Sequence, residues 1–407
     1  MTQQIGLGEN SGVQVSERRT EPVDNIREFT SIQDRGMLEW ARRRPDDGVV
    51  IGVALRLRGA QPTPERLADL VTTRLPWLPA LAECLRGPDR EECWHPDGGF
   101  QAARHVYRLE AQGDRRPLLE VITNQPVWED QPRWGLWLMD GERPDEYWLA
   151  YRVHHAAQDG AAAAHTVRRL FDARTPVPAS PERDRGVGGH WAAAPDPVDG
   201  RLLATAEVSA EAVRAVSRAS GASLNDVYLT ALTGALRAWL PAPDRGLPVP
   251  VRVPFNVRLR GERADRGNRF GYARLLLPVE EPSAAKRLAA IVEQTRLWPR
   301  DRNRRLLDAL PDAMLLPHIA TFLSPQDALA TVTMLQIPGP LALDGSPVTG
   351  GVALPPLVSG YLFSSVLFLH GTRATVSFTA EKGHEHVRDL PRLWVRELTA
   401  LAHATPA

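Results

Sequence analysis

The sequence predicts a mixed α/β protein arranged as two halves, and three observations predict it. The chain has 407 residues, enough to build two hydrophobic cores rather than one. Stretches with strand character and stretches with helical periodicity alternate along both halves. Between the halves lies a crossover rich in proline, glycine and charge, with five prolines and four glycines from Thr175 to Gly200. The expected division is a flexible leader at 1–24, an N-terminal half at 25–174, the crossover linker at 175–201 and a C-terminal half at 202–407.

The N-terminal half opens with a helix from Ser31 to Trp40. Val49 to Leu57 reads as a strand. Thr63-Pro64-Glu65 then supplies a cap, a first-turn proline and an early acid for a helix reaching about Arg74. Trp134–Met139 and Tyr147–Val153 read as paired strands around the turn Asp140-Gly141. Ala161 to Phe171 is a strong helix former. In the C-terminal half, Ser209 and Ser223 open helices, the second running to Leu240. Leu247–Val253 is a strand that Pro248 and Pro250 should keep away from a sheet interior. Arg274–Val279 is a further strand, Ser283–Leu297 an amphipathic helix and Thr375–Thr379 a late strand. No short-period repeat is present, which excludes solenoids and propellers.

Composition narrows the function classes. Apolar residues make up 43% and charged residues 24%, the balance of a globular domain. Lysine plus arginine and aspartate plus glutamate stand at 49 each, so the formal net charge is zero and a nucleic-acid partner is disfavoured. Cys84 and Cys93 form neither a C-x-x-C motif nor a disulfide framework, and are expected as free thiols in a reducing cytoplasm. No apolar run approaches the ~18 residues that span a bilayer. The polar N-terminus lacks the apolar centre of a signal peptide, while peripheral membrane contact stays open.

The most informative stretch is His154-His155-Ala156-Ala157-Gln158-Asp159-Gly160, which reads H-H-x-x-x-D-G on a strand-to-helix loop. An imidazole titrates near neutrality, so it can take a proton at the moment of attack and return it to the leaving group. Asp159 is placed to fix its tautomer, and Gly160 allows a turn where a side chain would obstruct. The plain structural alternative is a histidine pair closing a strand, with Asp159 capping the next helix. His154, His155 and His165 lack zinc-ligand spacing, so no metal is expected.

Other blocks stand in order around this motif. They are Ser31-Ile-Gln-Asp34; Pro132-Arg-Trp134 with Asp140-Gly141; Gly221-Ala-Ser-Leu-Asn225-Asp226-Val; Val253-Pro-Phe-Asn-Val-Arg258; Gly267-Asn268; Leu277-Pro278; and Ile337-Pro-Gly-Pro340. With them the chain resembles the bacterial wax ester synthase/diacylglycerol acyltransferase family, from about Phe29 to Leu398. That family lies in the chloramphenicol-acetyltransferase-like superfamily, which also holds condensation domains. Two departures concern the acceptor side. Leu335 and Gln336 stand where the family has serine or threonine then asparagine, and the usual glycine-leucine-asparagine run is not evident around Leu357–Gly360.

The resemblance implies two related α/β lobes with mixed sheets and an active-site tunnel between them. It implies an acyltransferase using acyl-CoA or an acyl-carrier protein as co-substrate, with no permanently bound cofactor and a small-molecule hydroxyl or amine acceptor. His155 is then the general base, with His154 holding the loop. Asp159 either orients His155 or, as in the superfamily, pairs with an arginine to brace the loop, with Arg258 the candidate. Asn225 and Asp226 are either helix-start residues or tunnel residues. Gln336 is a candidate amide donor to the oxyanion, against a plain loop hydrogen bond. Two other readings stay open: a condensation-like binding module without chemistry, and an enzyme that cyclises or condenses a carrier-bound chain.

Overall fold

A computed structural model of the chain describes residues 28–45, 49–88, 91–110, 118–174, 191–196, 200–298, 304–305, 327–358 and 360–404. The expected leader, and residues 175–190 and 197–199 of the expected linker, lie outside these. Six helices begin at a side-chain cap of the kind the sequence suggests. Ser31 starts α1 (Ile32–Arg43), Thr63 starts α2 (Pro64–Arg74) and Asp159 starts α4 (Gly160–Leu170). Ser209 starts α5 (Ala210–Ser220), Ser223 starts α6 (Leu224–Trp239) and Ser283 starts α7 (Ala284–Arg296). In each case the cap oxygen accepts a first-turn N–H that has no partner inside the helix. Two further α-helices among the described residues are α3 (Leu118–Thr123) and α8 (Leu390–Ala404). Among the described residues no helix is long and apolar enough to cross a membrane.

Two mixed sheets of six strands each organise the fold. The first has the order β12 (Ala342–Leu343), β13 (Ser346–Leu354), β2 (Val50–Arg58), β7 (Glu146–His154), β6 (Trp134–Asp140) and β5 (Val106–Leu109). On β7, Tyr147, Leu149, Tyr151 and Val153 enter a core with Leu67 and Leu70 of α2 and Val167 and Leu170 of α4. Ala150 enters the opposite core with Trp137, Val50 and Ala54. Both faces are covered, so the strand is a nearly unbroken buried run rather than an alternating one.

The second sheet has the order β10 (Phe270–Leu277), β9 (Val249–Asn256), β11 (Ala330–Gln336), β14 (Phe363–His370), β15 (Arg373–Glu381) and β8 (Arg201–Ser209). The four helices α5 to α8 cover one face, sharing a core that includes Val213, Leu232, Ile291 and Trp394. The other face meets the first sheet. Val366 and Phe368 join the first sheet's core, and Ser377 Oγ donates to Ala353 O at 2.9 Å. A small sheet of β1 (Glu28–Phe29), β4 (Cys93–Pro96) and β3 (Glu83–Arg86) lies apart and holds the two buried free cysteines.

Two expectations are corrected. The C-terminal half at 202–407 is not a closed lobe, because β12 and β13 complete the first sheet. β13 pairs antiparallel with β2 from Val348↔Leu57 to Leu354↔Gly52. Nor is the proline-bearing strand an edge, since β9 lies between β10 and β11. It is tolerated there because its second ladder is short, pairing only Ala330↔Val251 and Thr331↔Arg252. Leu329 N–H donates to Pro250 O at 2.8 Å, which turns the backbone groups of residues 250, 252 and 254 toward β11. Pro254 has no N–H to extend that ladder.

Candidate active site

Backbone hydrogen bonds fix the loop that carries the paired histidines. His155 N–H donates to Val49 O at 2.8 Å, and Gly267 N–H donates to Ala157 O at 2.6 Å. Gln158 accepts from the Tyr151 hydroxyl at 2.8 Å and donates to Thr166 Oγ1 at 2.9 Å and Asp265 O at 2.5 Å. The loop is thus held between the start of β2 and the segment linking β9 to β10.

The His155 ring is oriented by Asn268. Asn268 Nδ2 donates to Asp34 Oδ1 at 2.8 Å and to His155 O at 2.7 Å, so its acceptors identify it as the nitrogen. The carboxamide oxygen therefore faces the imidazole, 2.9 Å from His155 Nδ1. Nδ1 then carries the proton and Nε2 keeps its lone pair. Nε2 has no hydrogen-bond partner among the described residues. Burial lowers the His155 pKa from its ordinary value, opposed in part by its backbone hydrogen bond and by Asp159, Asn268 and Asp34. Burial thus favours the neutral form of the ring.

Asp34 anchors Asn268, accepting its backbone N–H at 2.7 Å as well as its amide. It is also the N3 partner of the Ser31 capping box, and burial pushes its carboxyl pKa up. Sequence reasoning quotes both residues as blocks of a resemblance but assigns neither a role. Asp34 and Asn268 are 234 positions apart, and no local pattern joins them.

The other expected residues divide between cavity and brace. His154 is buried, its Nδ1 accepts from Ala156 N–H at 3.1 Å, and burial, with Arg133 and His155 nearby, pushes its pKa down to about 3. That bond ties its ring to the turn that follows. Asp159 accepts from Ala162 N–H at 2.9 Å, Arg269 N–H at 2.8 Å and Arg258 Nη1 at 2.7 and 2.8 Å. None of these bonds is to His155. Arg258 also donates to Arg266 O at 3.0 Å and Gly267 O at 2.6 Å, so the pair ties the two loops together.

Gly160 begins α4 with a backbone outside the left-handed region, which corrects the turn argument for this glycine. A Cβ there would meet no atom within 4 Å, so the glycine leaves open volume in the cavity wall. Asp226 accepts from Ser223 N–H at 2.9 Å, Ser223 Oγ at 2.7 Å and Thr295 Oγ1 at 2.8 Å. Asn225 and Asp226 also line the cavity, so their helix-start and cavity placements coexist. Gln336 is corrected: it is exposed at the end of β11 and outside the cavity, whose wall on that strand is Thr331, Thr333, Met334 and Leu335.

The cavity that reaches His155 has a volume of about 600 Å³. Its walls are mostly apolar, with Met37, Trp40, Val53, Phe255, Phe270 and Val366 among them. Among the described residues no group of three histidine, cysteine, aspartate or glutamate side chains is placed to hold a metal ion. The site thus places an imidazole, positioned by an amide, against a largely apolar cavity.

The model of the wax ester synthase/diacylglycerol acyltransferase catalytic domain matches residues 57–278, more than half of the chain. The chain belongs to this family. Two Mycobacterium tuberculosis proteins provisionally named diacylglycerol O-acyltransferases are each 25% identical to this family member, over 325 and 363 residues. The first match covers 61% of this chain and 63% of the relative, and the second 70% and 73%. The chain thus matches just under two thirds of the first relative's length.

Solved structures agree on the fold. The wax ester synthase/diacylglycerol acyltransferase of Marinobacter aquaeolei VT8 superimposes with a TM-score of 0.62 at 16% identity, covering 92% of this chain and 98% of that one. The first condensation domain of the calcium-dependent antibiotic synthetase, in complex with a substrate analogue, gives 0.66 at 17%, covering 94% and 98%. The starter condensation domain of rhizomide synthetase, in complex with C8-CoA, gives 0.63 at 15%, covering 93% and 95%.

Proposed function

We propose that the protein transfers an acyl group from a thioester donor, acyl-CoA or acyl-carrier protein, to a hydroxyl or amine acceptor, with His155 as general base. The observation that carries this reading is the His155 ring in the cavity, its Nδ1 proton held by Asn268 and its Nε2 lone pair unengaged. Family membership supports it, and the C8-CoA bound by a condensation domain of like fold suits the donor class.

In this reading Nε2 takes the proton from the acceptor as its oxygen or nitrogen attacks the thioester carbonyl. The tetrahedral intermediate collapses by breaking the carbon–sulfur bond. The imidazolium returns its proton to the departing thiolate, so the base is regenerated and no acyl-enzyme forms. Asn268 holds the reactive tautomer through both transfers, and Asp34 holds Asn268. Asp159 and Arg258 set the loop's position. The apolar walls exclude water that would otherwise hydrolyse the thioester.

The test is a panel of acyl-CoA and acyl-carrier donors with alcohol and amine acceptors, read by thiol release and product mass. His155→Ala should lower turnover by ~10²–10⁴-fold. Equal turnover by wild type and variant would reject the base. No turnover with any donor would favour a binding module, and a cyclic or chain-extended product would favour the condensation alternative.

A further inference from the structure

The two central strands of the second sheet, β11 and β14, place hydroxyls in the cavity wall. Neighbouring residues of a strand face opposite sides of a sheet. On β14, Phe363, Leu367 and Leu369 join the core under the helices, while Val366 and Phe368 join the core of the first sheet. Ser364 therefore faces the first sheet. On β11, Ala330 and Val332 join the helix-side core and Leu335 packs on the other, so Thr331 shares the face of Ser364. The two are register partners on parallel strands, Thr331↔Ser364, and both line the cavity that reaches His155. Neither hydroxyl has a hydrogen-bond partner among the described residues, although Ser364 is only 3% exposed. Neither is sealed in packed interior, so each is accessible from the cavity. Their neighbours are engaged: Ser365, on the opposite face, accepts from the Tyr228 hydroxyl at 2.8 Å, and Thr333 Oγ1 reaches Pro254 O at 3.5 Å.

We propose that Thr331 and Ser364 hold a second hydroxyl of the acceptor, which makes the acceptor a polyol or a hydroxylated amine rather than a plain alkanol or alkylamine. The inference rests on the acyl-transfer reading above and specifies its acceptor. Partners on adjacent strands stand about 4.8 Å apart. That is too far for the two hydroxyls to bond each other, and one oxygen between them spans it with two ordinary hydrogen bonds. A hydroxyl fits this place because it can accept from one side chain and donate to the other. A saturated chain lying there would leave both oxygens unpaired in an apolar enclosure, at a cost to binding. The donor fits less well. Its acyl chain offers no polar atom, and its pantetheine arm must lead outward to a nucleotide or a carrier protein, whereas Ser364 is buried between the sheets.

The experiment measures kcat/KM for hexan-1-ol against the hexanediols that keep a primary hydroxyl, and for hexylamine against the aminohexanols, with each donor of the panel above. At least one hydroxylated acceptor should exceed its plain counterpart by about tenfold or more, from two hydrogen bonds. Ser364→Ala and Thr331→Val should each lower that ratio by about fivefold. Thr379→Val is the control. Thr379 pairs with Ser364 from β15 but lies outside the cavity, so its loss should leave the wild-type ratio. The ratio compares two acceptors on one protein sample and is insensitive to the fraction folded. Equal kcat/KM for plain and hydroxylated acceptors overturns the proposal, as does a wild-type ratio in both variants or an equal fall in Thr379→Val. A raised donor KM in the two variants with an unchanged acceptor ratio also overturns it, and assigns the hydroxyls to the donor's arm. Each of these results includes turnover and leaves acyl transfer standing. Absence of turnover with every donor and acceptor overturns the acyl-transfer reading and this proposal with it.

Discussion

Asp159→Asn decides what the buried carboxylate does. The Asp159 and Arg258 side chains are only 5% and 8% exposed, and Arg258 Nη1 lies 2.7 and 2.8 Å from the two carboxylate oxygens. Asparagine keeps an oxygen to cap Ala162, so loss of the helix cap is not part of the effect. It removes the charge that neutralises Arg258 and sets an NH₂ group against the donors of Arg258 and Arg269. Breaking a buried pair from one side costs roughly 3–5 kcal/mol. Against a total stability of about 5–15 kcal/mol, that is a large share. Equilibrium urea denaturation followed by tryptophan fluorescence should show a clearly lower midpoint. Initial rates taken at low temperature, where the variant is folded, should stay well above those of His155→Ala. A wild-type midpoint combined with a rate as low as that of His155→Ala would refute the brace and make Asp159 the group that orients the base.

Asn268→Leu should lower kcat at least ~10-fold by freeing the ring, a positioning loss rather than loss of the base itself. Asn268 holds the His155 pKa up, so the acid limb of the pH–rate profile should also move to lower pH, and an unmoved limb would count against the contact. Burial holds the pKa of His154 at about 3 and that of His105 at about 4, both below the usual imidazole value of 6.5. Below about pH 6.5 the unfolded chain therefore binds protons that the folded chain refuses, and stability falls with acidification by up to ~1.4 kcal/mol per pH unit for each ring. Denaturation midpoints measured from pH 7 to pH 4.5 check this, and a flat line would contradict it. Gly160→Leu should fold normally, because a Cβ there meets nothing within 4 Å, yet lower kcat/KM by about tenfold or more by filling the cavity beside His155. Unchanged kinetics would place the substrate elsewhere.

What the sequence makes legible is what a few neighbouring residues determine. The caps at Ser31, Thr63, Ser209, Ser223 and Ser283 act within three residues, and each opens the helix expected of it. The strand ending at His154 and the helix after Asp159 are local in the same sense. β13 and β14 carry no expectation from sequence, because buried runs such as Phe363–His370 lack the alternation that separates strand from helix. At the site, His155 announces itself by motif, whereas its amide partner lies 113 residues away. Gln336 misleads for a related reason: its position beside Ile337-Pro-Gly-Pro340 is a fact of sequence, but the strand end carries it to the surface.

The pairing of β13 with β2 has a consequence for how the molecule comes into being. During synthesis Leu57 emerges long before Val348, so the first sheet waits with a bare edge until most of the chain has left the ribosome. Closure across that separation makes the slow step a long-range one. It also means that scission anywhere in 175–201 yields no self-sufficient fragment. The leading piece lacks its outermost strands, and the trailing piece carries strands that have no sheet to join.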